Sequence, residues 1–178
     1  DPLEGNLGGA KGAMVDAALD MTDAVEWAAA GRAGFFPMYA MWNNGLKVTA
    51  VGGEDSISSL HESKLVASVR TYVYTGAQGL DMTAWFDGMR DGHAFVSTGP
   101  LVELTVNGRL PGETVERAAG GGTVELAARV RSIVPLEKVL LVYNGEVIDE
   151  VLFDGDRKSL DYTQSVQVTE SGWYHLRA

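Results

Sequence analysis

The chain has 178 residues, 46% of them hydrophobic, which suits one ordinary globular domain or two small ones with a packed core. Its 24 acidic and 14 basic residues give a net charge of -10 with no Lys/Arg cluster, which argues against nucleic acid or an anionic membrane as a partner. There is no cysteine, hence no disulfide, thiolate metal site or Cys nucleophile, and no apolar run approaches the ~20 residues of a membrane span.

The first residues, Asp1-Pro2-Leu3-Glu4-Gly5, have neither a basic n-region nor a start methionine. The chain is therefore expected to begin inside a longer protein, and its compartment stays open, extracytoplasmic included. Asp1 to Gly12 is glycine-rich and without period, so it reads as a loop. Met14–Leu19 is a short helical piece, and Thr22–Ala28 reads as a strand that its alanines would equally suit as helix. Ala33–Asn43 is strongly apolar, with Phe36, Tyr39 and Ala40 at helical spacing, and Asn43-Asn44-Gly45 is a C-terminal stop. Its aromatic run is expected in the core. Strand, helix, strand in this order predicts a βαβ unit with parallel strands.

The second of these strands runs through Leu46–Val51 into Gly52-Gly53-Glu54-Asp55-Ser56. Val48, Ala50 and Val51 suit a strand covered on both faces, and the glycine pair permits a sharp turn with room for a ligand. In α/β folds ligands sit at the C-terminal ends of parallel strands, which puts Glu54 and Asp55 at a favoured address. The plainer interpretation is an ordinary polar turn, with Asp55 capping the next segment. Ser56–Ser63 is a polar loop containing His61, and Val66–Tyr74 alternates as a strand with Arg70 on the face opposite Val69 and Thr71. Asp81–Gly92 carries clear helix signals: Asp81 as cap, Met82, Trp85, Phe86 and Met89 along one face, and Gly92 as stop. Ala94–Ser97 is then a short strand.

The pattern changes at Gly99-Pro100. Beyond it the expected strands are Leu101–Val106, Thr123–Ser132, Lys138–Tyr143, Glu146–Phe153, Leu160–Val168 and Trp173–Arg177. Asn107-Gly108 and Asn144-Gly145 are expected at hairpin turns. About six or seven short strands separated by turns predict a β-sandwich of immunoglobulin-like type. The fold class is thus α/β over residues 1–98 followed by all-β over residues 99–178, the latter possibly cut short at Ala178.

Five motifs in fixed order, VGGEDS, SVRTYVYTG, DGMRDGHAFVSTGP, LTVNGRLPGETV and VRSIVPLEKVLLVYNGEVI, together resemble one family. It is the C-terminal part of the CehA/McbA-type metallohydrolases, the carbaryl-hydrolase-like branch of the PHP (polymerase and histidinol phosphatase) superfamily. The resemblance covers nearly the whole chain. It implies that residues 1–98 are the C-terminal portion of a PHP-type (β/α) barrel, which binds divalent metal at the C-terminal ends of its strands. An immunoglobulin-like sandwich comes after it. Carried over by position, Asp55 is a metal ligand and Glu54 its catalytic neighbour on the same turn. His61, six residues after Asp55, is a supporting or outer ligand, against the alternative of a surface histidine. Glu26, at the end of the preceding strand, faces the same pocket more weakly.

The resemblance also implies the cofactor, a divalent metal such as zinc or manganese, whose bound water becomes the hydroxide nucleophile. Asp1-Pro2 stands where the family has His-Pro, His93 stands where relatives usually carry arginine or lysine, and the family's His-x-His pair has no counterpart in the chain. The expected activity is a metal-dependent hydrolase acting on a small-molecule ester, carbamate, amide or phosphoester. This chain is expected to be inactive alone and to depend on the N-terminal remainder of the same protein. The alternative is a non-catalytic carbohydrate- or protein-binding module beside a degenerate barrel. A third is a sandwich that only braces the barrel or forms a dimer contact. Tyr143, Tyr162 and Trp173 suit either core or a binding surface.

Overall fold

A computed structural model describes residues 12–26, 35–53, 67–76, 79 and 81–178. The chain divides into two units, Asp1–Thr98 and Gly99–Ala178.

The first unit starts with helix α1 (Ala13–Ala18), strand β1 (Ala24–Glu26), helix α2 (Phe35–Asn43) and strand β2 (Thr49–Val51). β1 and β2 pair in parallel, with Glu26 opposite Val51, as a strand-helix-strand order demands. α2 stops at Asn44-Gly45, where Gly45 adopts φ 77° and the Asn44 side chain donates to the Ala40 carbonyl at 2.8 Å. Tyr39, on the expected face of α2, packs against the core, but the residues buried deepest are methionines. Met38 and Met41 are fully buried with Val48, and Val25, Trp42 and Leu46 pack around them. Tyr39 is only half-buried, its ring 5.9 Å from that of Trp42. Unbranched methionine fills the irregular space between a helix and two short strands more readily than a rigid ring does. Trp42 closes the unit by donating its indole N–H to the Val48 carbonyl at 2.9 Å.

Strand β3 (Arg70–Val73), helix α3 (Met82–Arg90) and strand β4 (Ala94–Ser97) complete the unit. The expected strand Val66–Tyr74 is shortened. Ala67 takes φ 61° and its carbonyl accepts from Arg70 Nε at 2.6 Å, so the chain turns there before extending. β3 and β4 pair antiparallel, Tyr72 opposite Phe95, with those rings stacked at 4.9 Å. Asp81 caps α3 by accepting from the Thr83 amide at 2.8 Å. The buried side of α3 is set by Gly88, which the sequence pattern passed over. Ala84, Trp85 and Met89 share its side, whereas Met82 and Phe86 are 59% and 44% exposed. A Cβ at Gly88 would lie 2.7 Å from the Tyr74 carbonyl oxygen, so the missing side chain is what lets α3 reach β3. Among the described residues this unit holds two two-stranded sheets, one parallel and one antiparallel.

The second unit, described throughout, is all β: β5 (Leu101–Val106), β6 (Gly122–Arg131), β7 (Lys138–Tyr143), β8 (Glu146–Leu152), β9 (Ser159–Val168) and β10 (Tyr174–Arg177). They form two antiparallel three-stranded sheets, in the orders β5-β6-β9 and β10-β7-β8. Every second residue of β6 points inward: Val124, Leu126, Ala128 and Val130 are buried, as strand alternation dictates. Val139, Leu141 and Leu176 of the other sheet, with Phe153 just after β8, join them in one cluster. Each fully buried aliphatic side chain contributes about 1.5–3 kcal/mol.

The two Asn-Gly pairs behave differently. Asn144 (φ 50°) and Gly145 (φ 98°) form the two-residue turn of the β7-β8 hairpin. Asn107 (φ 51°) and Gly108 (φ 73°) make the same local turn, closed by mutual hydrogen bonds of Val106 and Arg109 at 3.0 and 3.1 Å, but the chain then enters a loop instead of a strand. The pairing of β5 is taken by β6. Asn107 fastens the turn to it, donating its amide to the Glu125 carbonyl at 2.8 Å and accepting the Glu125 amide on Oδ1 at 2.7 Å.

Candidate functional site

The parallel pair β1 and β2 brings two chain ends to one place. Glu26 closes β1 and is exposed, and Gly52-Gly53 leaves β2. A Cβ built on Gly53 would stand 3.4 Å from Glu26 Oε1, so the carboxylate lies against the glycine backbone. Thr71, from β3, holds the other side. Its Oγ1 accepts from the Gly52 amide at 2.9 Å and donates to the Gly52 carbonyl at 3.3 Å. One hydroxyl thus satisfies both backbone polar groups of Gly52 at the point where β2 stops pairing.

Two further ties fix β1 and β2. The Thr49 hydroxyl, buried in β2, donates to the Met89 carbonyl at the end of α3 at 2.7 Å. Arg90 pairs with Asp23, just ahead of β1, at 3.2 Å. Gly52 is thus tied to β3, and Gly53 has a carboxylate beside it, at the C-terminal ends of parallel strands.

Glu54, Asp55 and His61, the residues expected to carry the chemistry, lie outside the described residues, as does Asp1. His93 is half-buried in the α3-β4 connection, its amide donating to the Gly88 carbonyl at 2.8 Å and its carbonyl accepting from Tyr74. Among the described residues no three His, Cys, Asp or Glu side chains come together as metal ligands. Glu26 brings one oxygen donor to the turn, short of the three or more protein ligands that a zinc or manganese ion needs. The described residues by themselves do not make up a metal site. Thr71 was not singled out in the sequence, although the alternation of Val69, Thr71 and Val73 places it on one face of its strand.

In the second unit Tyr143, Tyr162 and Trp173 are all half-buried. The Tyr162 hydroxyl, on β9, donates to Asp149 Oδ2 of β8 at 2.5 Å and lies 2.6 Å from the Gln164 amide. A phenol has one proton, which the Asp149 carboxylate and Gln164 Oε1 share as acceptors. Burial, and then the bond to Asp149, pushes the Tyr162 hydroxyl up to about 12. Tyr143 and Tyr174 lie 4.9 Å apart and tilted, on the wall of a cleft of about 290 Å³ that also takes in Ile148, Gln164, Val166 and Glu170. The residues that line it come from β7, β8, β9, β10 and the β9-β10 loop, too dispersed along the chain for any single motif to announce them. No helix among the described residues is long and apolar enough to cross a membrane. Compared with known proteins, the chain matches no family model, no curated protein and no solved structure.

Proposed function

We propose that the chain is part of a metal-dependent hydrolase of the CehA/McbA type, with its first unit a portion of a PHP-type barrel and its second an immunoglobulin-like sandwich. One observation supports this most. The Glu26 carboxylate and the Gly52-Gly53 turn meet at the C-terminal ends of two parallel strands, and that turn leads directly into Glu54-Asp55. On this reading Asp55 is a ligand of a divalent ion, zinc or manganese, with Glu26 close enough to contribute an oxygen and Glu54 and His61 assisting catalysis. A divalent ion bound there lowers the pKa of water toward neutrality and polarises a carbonyl or phosphoryl oxygen. Thr71 and the glycine pair position the turn. The net charge of -10 supports a neutral or cationic small molecule as substrate, with nucleic acid disfavoured.

The test is metal content and turnover in the full-length protein. Asp55→Asn is expected to keep the fold while lowering zinc or manganese occupancy, and to cut hydrolysis of a carbamate or phosphoester by at least ~10-fold. Unchanged metal content by elemental analysis overturns the assignment. The alternative, a binding module, is favoured by a separate observation, the cleft of the second unit.

A further inference from the structure

We infer that the cleft of the second unit is a binding site for a neutral sugar ring, such as one residue of a glycan. The cleft opens where edge strands β8 and β9 face each other across the Tyr162-Asp149 bond. Its volume of about 290 Å³ is at the small end of ligand sites and suits one ring-sized group.

Its wall is built in advance. The Tyr143 hydroxyl donates to the Glu170 carbonyl at 2.9 Å, and Asn144 Oδ1 accepts from the Trp173 amide at 3.0 Å. Gly172 lies so close beneath Tyr143 that a Cβ there would be 2.5 Å from the ring. The β9-β10 loop is thus pinned to the β7-β8 turn, and a ligand need not order it.

The chemistry of the lining selects the ligand. No Lys, Arg or His borders the cleft, and its one ionised group is Glu170, which disfavours anions. A wholly apolar ligand would strip water from Gln164, Gln167 and Glu170 without replacing its hydrogen bonds. A small cation would gain from Glu170 and the tyrosine faces, but the amide NH2 groups of Gln164 and Gln167 would then face a group that only donates. Sugar hydroxyls both donate and accept, so they satisfy amides and carboxylate together. The C–H face of the ring covers the tyrosines, Ile148 and Val166. This inference takes further the binding role of the second unit and does not depend on the hydrolase reading, since every group it uses lies in Gly99–Ala178.

The test is an amide NMR titration of the 178-residue chain with methyl glycosides of glucose, galactose, mannose and N-acetylglucosamine, and separately with choline. Saturable shifts at Gln164, Val166, Glu170 and Tyr174 are expected with at least one glycoside. Gln164→Leu and Glu170→Ala should each weaken that binding by about tenfold. Glu170 is exposed, so its variant keeps the fold even if loss of the Gln164 contact to Tyr162 disturbs it. The inference is overturned by the absence of saturable shifts with all four glycosides, by shifts that map elsewhere, by full-strength binding in Glu170→Ala, or by choline binding where glycosides do not.

Discussion

A histidine in β10 contributes to how the protein responds to acid. Burial, reinforced by the positive charge of Arg177, pushes the His175 pKa from its ordinary 6.5 down to about 3, so the ring is neutral in the folded chain. In the unfolded chain it takes up a proton near pH 6.5. Between these values the unfolded state binds more protons, and stability must fall as pH is lowered. His175 imposes no such cost above about pH 6.5, and its cost is complete near pH 3. Across the window it reaches up to tenfold in the folding constant per pH unit. His175→Gln is expected to lose less stability than the parent chain between about pH 7 and about pH 4.5, read as the shift in urea midpoint. Equal losses would show that the ring is already solvated.

At the scale of elements, the contact between α3 and β3 runs against helix propensity. Alanine in mid-helix is ordinarily better than glycine by about 1 kcal/mol. At Gly88, however, a Cβ would be 2.7 Å from the Tyr74 carbonyl oxygen and 2.8 Å from Val73 Cγ1. Gly88→Ala is therefore expected to destabilise the first unit by about 1–3 kcal/mol, the cost of overpacking. A gain in stability by thermal or urea unfolding would show that α3 does not seat on β3. In the other unit Leu126, fully buried at the centre of β6, fills the space between two sheets. Leu126→Ala should cost about 2–5 kcal/mol, the cost of a core cavity.

At the scale of the whole molecule, the second unit has two three-stranded sheets and a cluster of buried residues of its own. Residues 99–178 expressed alone are expected to fold, with a cooperative urea transition and a dispersed amide spectrum. A spectrum collapsed to random-coil shifts would sink this. The first unit differs: its strands are three or four residues long and pair only two by two among the described residues. Short paired strands of this kind are marginal alone.

By itself the sequence determined the second unit nearly strand by strand. Long alternating runs such as Val124 to Val130 have one inward face, and slipping them by one residue would bury Glu125 and Arg129. It also determined the Asp81 cap and the parallel β1-β2 unit, since capping is local and a helix between adjacent strands leaves parallel pairing as the natural outcome. Tertiary structure alone decided which residues of α2 and α3 are buried deepest. Met38 and Met41 were chosen by the shape of the gap, and Gly88 by the approach of a backbone distant in sequence. It also decided that the Asn107-Gly108 turn docks on β6 rather than starting a hairpin, because Asn107 bonds both backbone groups of Glu125 and the chain beyond Arg109 leaves as a loop. The turn at Gly52-Gly53 divides the same way. Its glycines and carboxylates are visible in the chain, but the Glu26 and Thr71 side chains reach it only because parallel pairing and the β3 fold bring their backbones alongside.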